Sequence, residues 1–481
     1  MSLTLIARVQ GFLLLFLGGA MCFPLAVAAV YREAAWQAML LAAALTIGAG
    51  GGCVFICQPT EKQISQREGF VIVAIGWIIA SLFGSLPFLL HGCIASFTDA
   101  YFETVSGFTT TGATVISYVE SLPRTLLFWR SMIQWLGGIG IILFSIAILP
   151  MLGIGGMQLY KAEVPGPVIE KIKPRIAETA RSLWKVYILL TLAQTLLLML
   201  CGMDVYDALC HTFTTMATGG FSTRNKSVEA FSNPWAELVI IVFMVAAGTN
   251  FTLHYRLLHG KVTSLFRDKE FLFYLGVLCA ATILLTGSLC TASCEDILRS
   301  LRLASFQVAS IMTTTGYSTC NFDSWPWFAK FLLLVLMFIG GCAGSTGGGM
   351  KCIRIYLLLK QIYRELFCMV HPNAVVALKL GGKPVPENVL RSLTHFIIVY
   401  LVIFVVGAAV LSWCGIDLVT ALSAVAATLG NVGPGLARVG PYETFAWISV
   451  PGKWLLVVLM LLGRLELFTL LLLLLPAFWK K

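Results

Sequence analysis

Along this chain, apolar residues gather in near-continuous runs of about 20 positions, the length needed to cross a hydrocarbon core. The runs fall at residues 10–30, 37–57, 70–91, 126–150, 184–203, 235–255, 271–290, 328–358, 393–414 and 453–478, which predicts ten membrane-spanning helices. Between alternate pairs of runs lie mixed segments such as 99–111. About 13 helical positions rise only roughly 20 Å, so each such segment is a half-span that must enter the membrane and turn back. The first run follows Arg8 and precedes Ala26-Val27-Ala28-Ala29, which imitates a signal peptide with its cleavage site. It is long for that role, and a second run begins almost at once, so a helical hairpin retained in the mature protein is the expectation.

Composition agrees. The chain is 58% hydrophobic and 12% charged, far from the globular averages of about 45–50% apolar and about 25% charged. Basic residues set the orientation: Arg8, Lys62, Arg67 and the stretches 161–185, 256–269, 351–391 and 480–481 share one side if the N-terminus is inside. They hold 22 of the 33 Lys and Arg, against ten on the other side. The positive-inside bias therefore places both termini in the cytoplasm. It also accounts for the net charge of +10 without nucleic acid, since no clustered basic and aromatic face is present. Cys22, Cys53, Cys57, Cys201, Cys279, Cys342 and Cys414 lie in apolar spans and read as small buried hydrophobes. Cys290 and Cys294 stand at i and i+4 near the outer surface, where a bridge is conceivable but strained. His211, His254, His259, His371 and His395 are scattered, which argues against an enzyme.

Four half-spans run into a glycine-centred tetrapeptide: Thr111-Gly112-Ala113-Thr114, Thr218-Gly219-Gly220-Phe221, Thr315-Gly316-Tyr317-Ser318 and Val432-Gly433-Pro434-Gly435. The key glycines, taken as Gly112, Gly219, Gly316 and Gly433, lie 107, 97 and 117 residues apart. Each interval holds one helix, re-entrant segment and helix. One such motif would suit close helix packing; four at even spacing argue a filter of backbone carbonyls that replaces the hydration shell of a cation. Glycine takes positive φ without a Cβ penalty, and the hydroxyls of residues such as Thr110 and Thr111 add oxygen ligands. The fourth repeat departs from the others, with Asn431-Val432 before its glycine. Asp99, Asp207, Asp296 and Asp417 stand near the starts of the four half-spans, where each can cap a helix whose negative end faces the filter. Glu103 either tunes the outer field or hydrogen-bonds behind the filter.

The run 328–358 is interrupted by Gly340-Gly341-Cys342-Ala343-Gly344-Ser345-Thr346-Gly347-Gly348-Gly349, followed by Lys351. Each Gly costs about 1 kcal/mol relative to Ala in a helix. Non-helical backbone at this depth is tolerated only against protein or water, so the segment is expected to border the pore, though a packing kink would also account for it. Met350 stands where a phosphate loop needs Lys, and no strand precedes it, so no nucleotide is expected on this chain. Arg464 lies within the last run, where a charge costs about 2.5–3.5 kcal/mol and calls for a cavity or a partner.

This arrangement resembles the superfamily of Trk, Ktr and plant HKT potassium transporters over essentially the whole chain. The extra N-terminal hairpin is similar to the TrkH or TrkG type of membrane subunit. The resemblance implies an all-α polytopic fold with four pseudo-symmetric helix, pore loop, helix repeats around one pore. The corresponding boundaries are a hairpin at 1–66 and repeats at 67–156, 157–262, 263–370 and 371–481. It implies that K+ is the ion bound in the filter and carried. It also implies that residues 340–349 obstruct permeation beneath the filter, with Arg464 as an electrostatic barrier. A homodimer in the bacterial inner membrane and a cytosolic nucleotide-binding regulatory ring are the implied assembly. Symport of K+ with Na+ or H+ is the alternative mechanism, and the residues do not decide it.

Overall fold

The computed structural model describes residues 1–57, 65–147, 172–293, 296–381 and 383–480. Lys62, much of 161–185, Cys294, Lys481 and the expected boundary at 156/157 lie outside the described residues. Helices dominate, and the two-residue strands Lys379–Leu380 and Lys383–Pro384 pair antiparallel on the expected inner face. Among the described residues, six helices are long and apolar enough to cross a membrane, or up to eight if each of two sharply bent pairs is one span.

The ten expected runs are therefore realised unevenly. Run 235–255 becomes Pro234–Ala247 and Phe251–Leu258, bent by 103° where Asn250 caps the second piece by accepting from the Thr252 amide. Run 453–478 becomes Val450–Arg464 and Phe468–Leu474, bent by 119° with Glu466 at φ 58°. Apolar composition continues across both bends, so periodicity alone does not reveal them. Run 328–358 holds the helix Trp327–Leu336, a non-helical segment, and then Cys352–Val370. Run 126–150 is helical through residue 147, in a helix Arg124–Ala147 that starts two residues earlier.

The N-terminal hairpin packs Leu3–Ala20 on Trp36–Ile56 through small residues. A Cβ on Gly11 would come within 3.0 Å of the Gly50 carbonyl, so the two backbones approach as only glycine permits. Cys22, Cys279 and Cys414 are exposed at the helix surface rather than buried; lipid tails are as apolar as a protein core, so a small thiol is tolerated there. Cys342 is buried as expected.

Four short helices descend from the expected outer face: Phe97–Phe108, Val205–Met216, Ile297–Met312 and Leu418–Leu429. Three have 12 residues, or about 18 Å of rise, and the last three residues of each are buried. Their N-caps correct the expectation for two of the four acids. The N-cap positions hold Ser96, Asp204, Asp296 and Asp417, and of these Ser96, Asp204 and Asp417 accept a helix amide through their side chains. Asp99 and Asp207 instead sit in the first turn, where they still meet the positive helix end. Asp99 pairs with Lys453 at 2.6 Å, and Asp207 accepts from the Thr223 hydroxyl at 2.6 Å.

Candidate cation pathway

All four pore helices end in the same way. In the first, the Thr110 amide bonds back to Gly107 and the Thr111 amide to Ser106; Thr218 and Gly219, Thr314 and Thr315, and Asn431 and Val432 repeat the pattern. This is a Schellman terminus, whose left-handed position usually holds glycine. Here it holds Thr110 (φ 52°), Thr218 (φ 54°), Thr314 (φ 60°) and Asn431 (φ 53°). A left-handed non-glycine costs about 1–2 kcal/mol, and a β-branched one is a marked outlier. Three threonines in this conformation, each at the end of a pore helix, indicate a functional constraint, while Asn431 takes the left-handed turn more readily.

The shared terminus fixes the register and corrects one expected residue. Gly112, Gly220, Gly316 and Gly433 follow at equivalent positions, all with positive φ. Gly220, not Gly219, is thus the counterpart of the other three; Gly219 is equivalent to Thr111, Thr315 and Val432. The four segments close on one another in order. A Cβ on Gly112 would come within 3.0 Å of the Gly219 carbonyl, one on Gly220 of Thr315, one on Gly316 of Val432, and one on Gly433 of Thr111. Each glycine therefore seats the carbonyl of the next repeat, and the fourth returns to the first.

Hydroxyls at the filter also join the repeats to one another. Thr109 donates to the Val105 carbonyl at 2.7 Å, so in its 2.8 Å contact with Thr111 it must accept. The Thr111 hydroxyl thereby donates to Thr109 and accepts from Asn431 Nδ2 at 2.9 Å. Thr313 and Thr315 repeat the first half of this arrangement. Through these bonds the Thr111 and Thr315 hydroxyls brace the loops. Asn431 explains the odd fourth repeat: its amide reaches both Thr111 and the Met460 carbonyl, tying the last segment to the first.

Side chains missed in the sequence hold the ring from behind. Gln134 donates to the Gly219 carbonyl at 2.7 Å and accepts from the Phe221 amide at 3.1 Å. One turn earlier, Arg130 pairs with Glu103 at 2.7 Å and donates to the Ser222 carbonyl at 3.0 Å. Glu103 also accepts from the Val115 amide at 2.9 Å and from the Thr114 hydroxyl. Of the two roles open to Glu103, the structure gives the hydrogen bonds behind the filter. Arg130 and Gln134 were legible as polar residues inside the apolar run 126–150.

Beneath the ring, residues 340–349 fold into a closed loop whose legs join through Gly340 N to Met350 O (2.8 Å) and a bridge between Ile339 and Met350. It touches the lower ends of the pore helices. Thr346 donates to the Met216 carbonyl at 3.0 Å, the Gly348 amide donates to the Thr314 hydroxyl at 2.6 Å, and Gly348 lies against Gly430. Cys342 N bonds to Gly248 O at the bend of Pro234–Ala247, and Gly344 O accepts from Phe251 N. Gly340 packs on the Gly348 carbonyl, Gly341 on Gly248, and Gly347 on Thr313 and Gly341. Gly344 and Gly349 take positive φ, and Ser345 donates to Cys342 O at 2.6 Å. Lys351 Nζ donates to the Gly347 carbonyl. Glu270, a further residue missed in the sequence, accepts from Ala343 N at 2.6 Å and Ile353 N at 3.1 Å, so one carboxylate grips both the loop and the helix that leaves it.

Arg464 ends the helix Val450–Arg464 and is 2% exposed. It donates to the Thr346 carbonyl at 2.7 Å and to Gly137 O at 3.2 Å. Glu466 is paired with Arg354 instead. Among the described residues Arg464 forms no ion pair, so its charge stands beside the loop unneutralised.

Four half-helices around a closed carbonyl ring, within a bundle of apolar helices, define a polytopic membrane protein built to pass a cation. The chain belongs to the TrkH family of cation transport proteins: the family's sequence model matches residues 35–481. It is 44% identical over 480 residues to the Trk system potassium uptake protein TrkH of Salmonella typhimurium, covering 99% of each chain. The Trk system potassium uptake protein TrkG of Escherichia coli is 36% identical over 478 residues, covering 99% of this chain and 98% of that one. The crystal structure of the potassium transporter TrkH from Vibrio parahaemolyticus aligns over all of both chains with a TM-score of 0.93 at 40% identity. The family is one of transporters, not enzymes.

Proposed function

We propose that this chain carries potassium into the cell as the ion-translocating subunit of a Trk-type system, through a selective and gated pore. The printed names of the TrkH and TrkG relatives support the substrate and the system. The observation that carries the mechanism is the cyclic seating of each filter glycine on the carbonyl of the next repeat, from Gly112 through to Gly433. Ion contacts fall to the carbonyls of Thr111, Gly219, Thr315 and Val432, shaped by Gly112, Gly220, Gly316 and Gly433. Thr110, Thr218, Thr314 and Asn431 form the base of the filter. The four repeats divide the chain at the boundaries read from the sequence, with the hairpin standing outside them.

Residues 340–349, with Lys351 and Arg464, form the gate. Their contacts with Met216, Thr314 and Gly430 lie at the carbonyl ends of three pore helices, where an obstruction would stop a partly dehydrated ion. The protein sits in the bacterial inner membrane with both termini in the cytoplasm, as a homodimer. A nucleotide-binding regulatory ring docks on the basic inner loops, and the chain itself holds no nucleotide. Flux of potassium, rubidium and sodium into liposomes carrying the purified chain tests the reading. Selective potassium and rubidium flux supports it; equal sodium flux, or none for any ion once residues 340–349 are shortened, contradicts it.

A further inference from the structure

Thr314 belongs to the filter and to the loop beneath it at once. It occupies the left-handed position of the third pore-helix terminus, equivalent to Thr110, Thr218 and Asn431, and all four are fully buried. At this level the Thr110 hydroxyl and Asn431 Oδ1 have no protein partner among the described residues. Thr218 gives its proton to the Ala217 carbonyl at 2.6 Å and keeps its lone pairs. Buried oxygens left without a donor are costly, and a set of them below a carbonyl ring suits a monovalent cation. Thr314 differs from the other three. Its oxygen accepts the Gly348 amide of the loop at 2.6 Å, and Gly348 lies against Asn431 of the same level.

A hydroxyl oxygen has two lone pairs, yet an N–H proton and a cation held by one oxygen repel each other. The loop and an ion at the base of the filter therefore make opposed claims on Thr314. We infer that Thr314 couples the two: seating the loop weakens potassium binding at the base of the filter, and potassium there favours release of the loop. Linkage makes the two effects equal in size. The inference rests on the filter and gate reading above, and it assigns the coupling to a single oxygen.

Hydrogen–deuterium exchange over residues 340–352 of the full chain, in potassium chloride and in choline chloride at equal ionic strength, tests it. Exchange reports local opening of the loop. In the wild type, potassium should speed it several-fold. Thr314→Val keeps the β-branched shape and removes the hydroxyl; exchange should rise about tenfold in both salts, the scale of one buried hydrogen bond, and lose its dependence on potassium. Thr314→Ser keeps the hydroxyl and should keep the potassium response. If the Val variant fails to fold, the wild-type and Ser comparisons still decide. A chain that passes potassium selectively yet exchanges equally in both salts, or a folded Val variant that retains the response, overturns the inference alone. A chain without selective potassium flux overturns the filter reading and takes this inference with it.

Discussion

Arg464 donates through Nη1 to the carbonyl of Thr346 at 2.7 Å, which joins the one charged residue at the end of the last long helix to the loop beneath the filter. With Glu466 held by Arg354, that charge faces the loop unbalanced by any carboxylate among the described residues. Two unit charges 4 Å apart repel by on the order of 4 kcal/mol at an effective dielectric near 20. Arg464→Ala should therefore raise potassium flux per inserted protein by at least tenfold, while Arg464→Lys, which keeps the charge, should largely preserve the barrier. A folded Ala variant with reduced flux would show that Arg464 only anchors the carbonyls it touches.

The register of the second filter segment is open to direct test. A Cβ on Gly220 meets the Thr315 carbonyl, which cannot yield, whereas one on Gly219 meets the amide end of Gln134, a side chain that can turn. Gly220 also needs φ 73°. Gly220→Ala should lose the preference for potassium over sodium in liposome flux, and Gly219→Ala should lose less. The opposite order would restore Gly219 as the equivalent of Gly112.

Glu103 and Arg130 are a fully enclosed pair that ties the first filter segment to the second. Removing one partner of such a pair costs about 3–5 kcal/mol because the other charge is left buried. Glu103→Gln should lower the thermal midpoint of the purified protein, and the double change Glu103→Gln with Arg130→Met should recover much of the loss. A single variant as stable as the wild type would mean that the pair contributes nothing to the ring.

Glu270 restrains the loop through the Ala343 and Ile353 amides, whereas Arg464 holds it through the Thr346 carbonyl. Hydrogen bonds to a charged group are worth about 1.5–3 kcal/mol each, so Glu270→Gln should free the loop and raise basal potassium flux about tenfold without a regulatory partner. Glu270→Asp should fall between. Unchanged flux in a correctly inserted Gln variant would remove Glu270 from the gate.

What could be read in the chain, and what could not, follows from the kind of signal each feature leaves. Apolar runs and half-spans are set by the membrane, so the repeats and the position of the glycine loop were legible. The bends after Ala247 and Arg464 were not, because Asn250 and Glu466 interrupt apolar stretches too briefly to change their composition. The Thr218-Gly219 dipeptide imitates Thr111-Gly112 and Thr315-Gly316; only the end of the pore helix, which composition leaves blurred, shows that Gly220 carries the positive φ. Gln134 and Glu270 act through contacts 85 and 73 residues away. No local pattern encodes such distances, although Arg130 and Gln134 inside an apolar run were a usable hint.

In the proposed pore, four glycines seated on neighbouring carbonyls select potassium. The most direct measurement compares potassium and sodium flux into liposomes for the wild type and Gly112→Ser. A Cβ and hydroxyl at that position press on the Gly219 carbonyl and break the ring at its first joint. The wild type should favour potassium strongly, and Gly112→Ser should admit sodium alongside it while remaining folded and inserted. An unchanged potassium preference in Gly112→Ser would contradict the account.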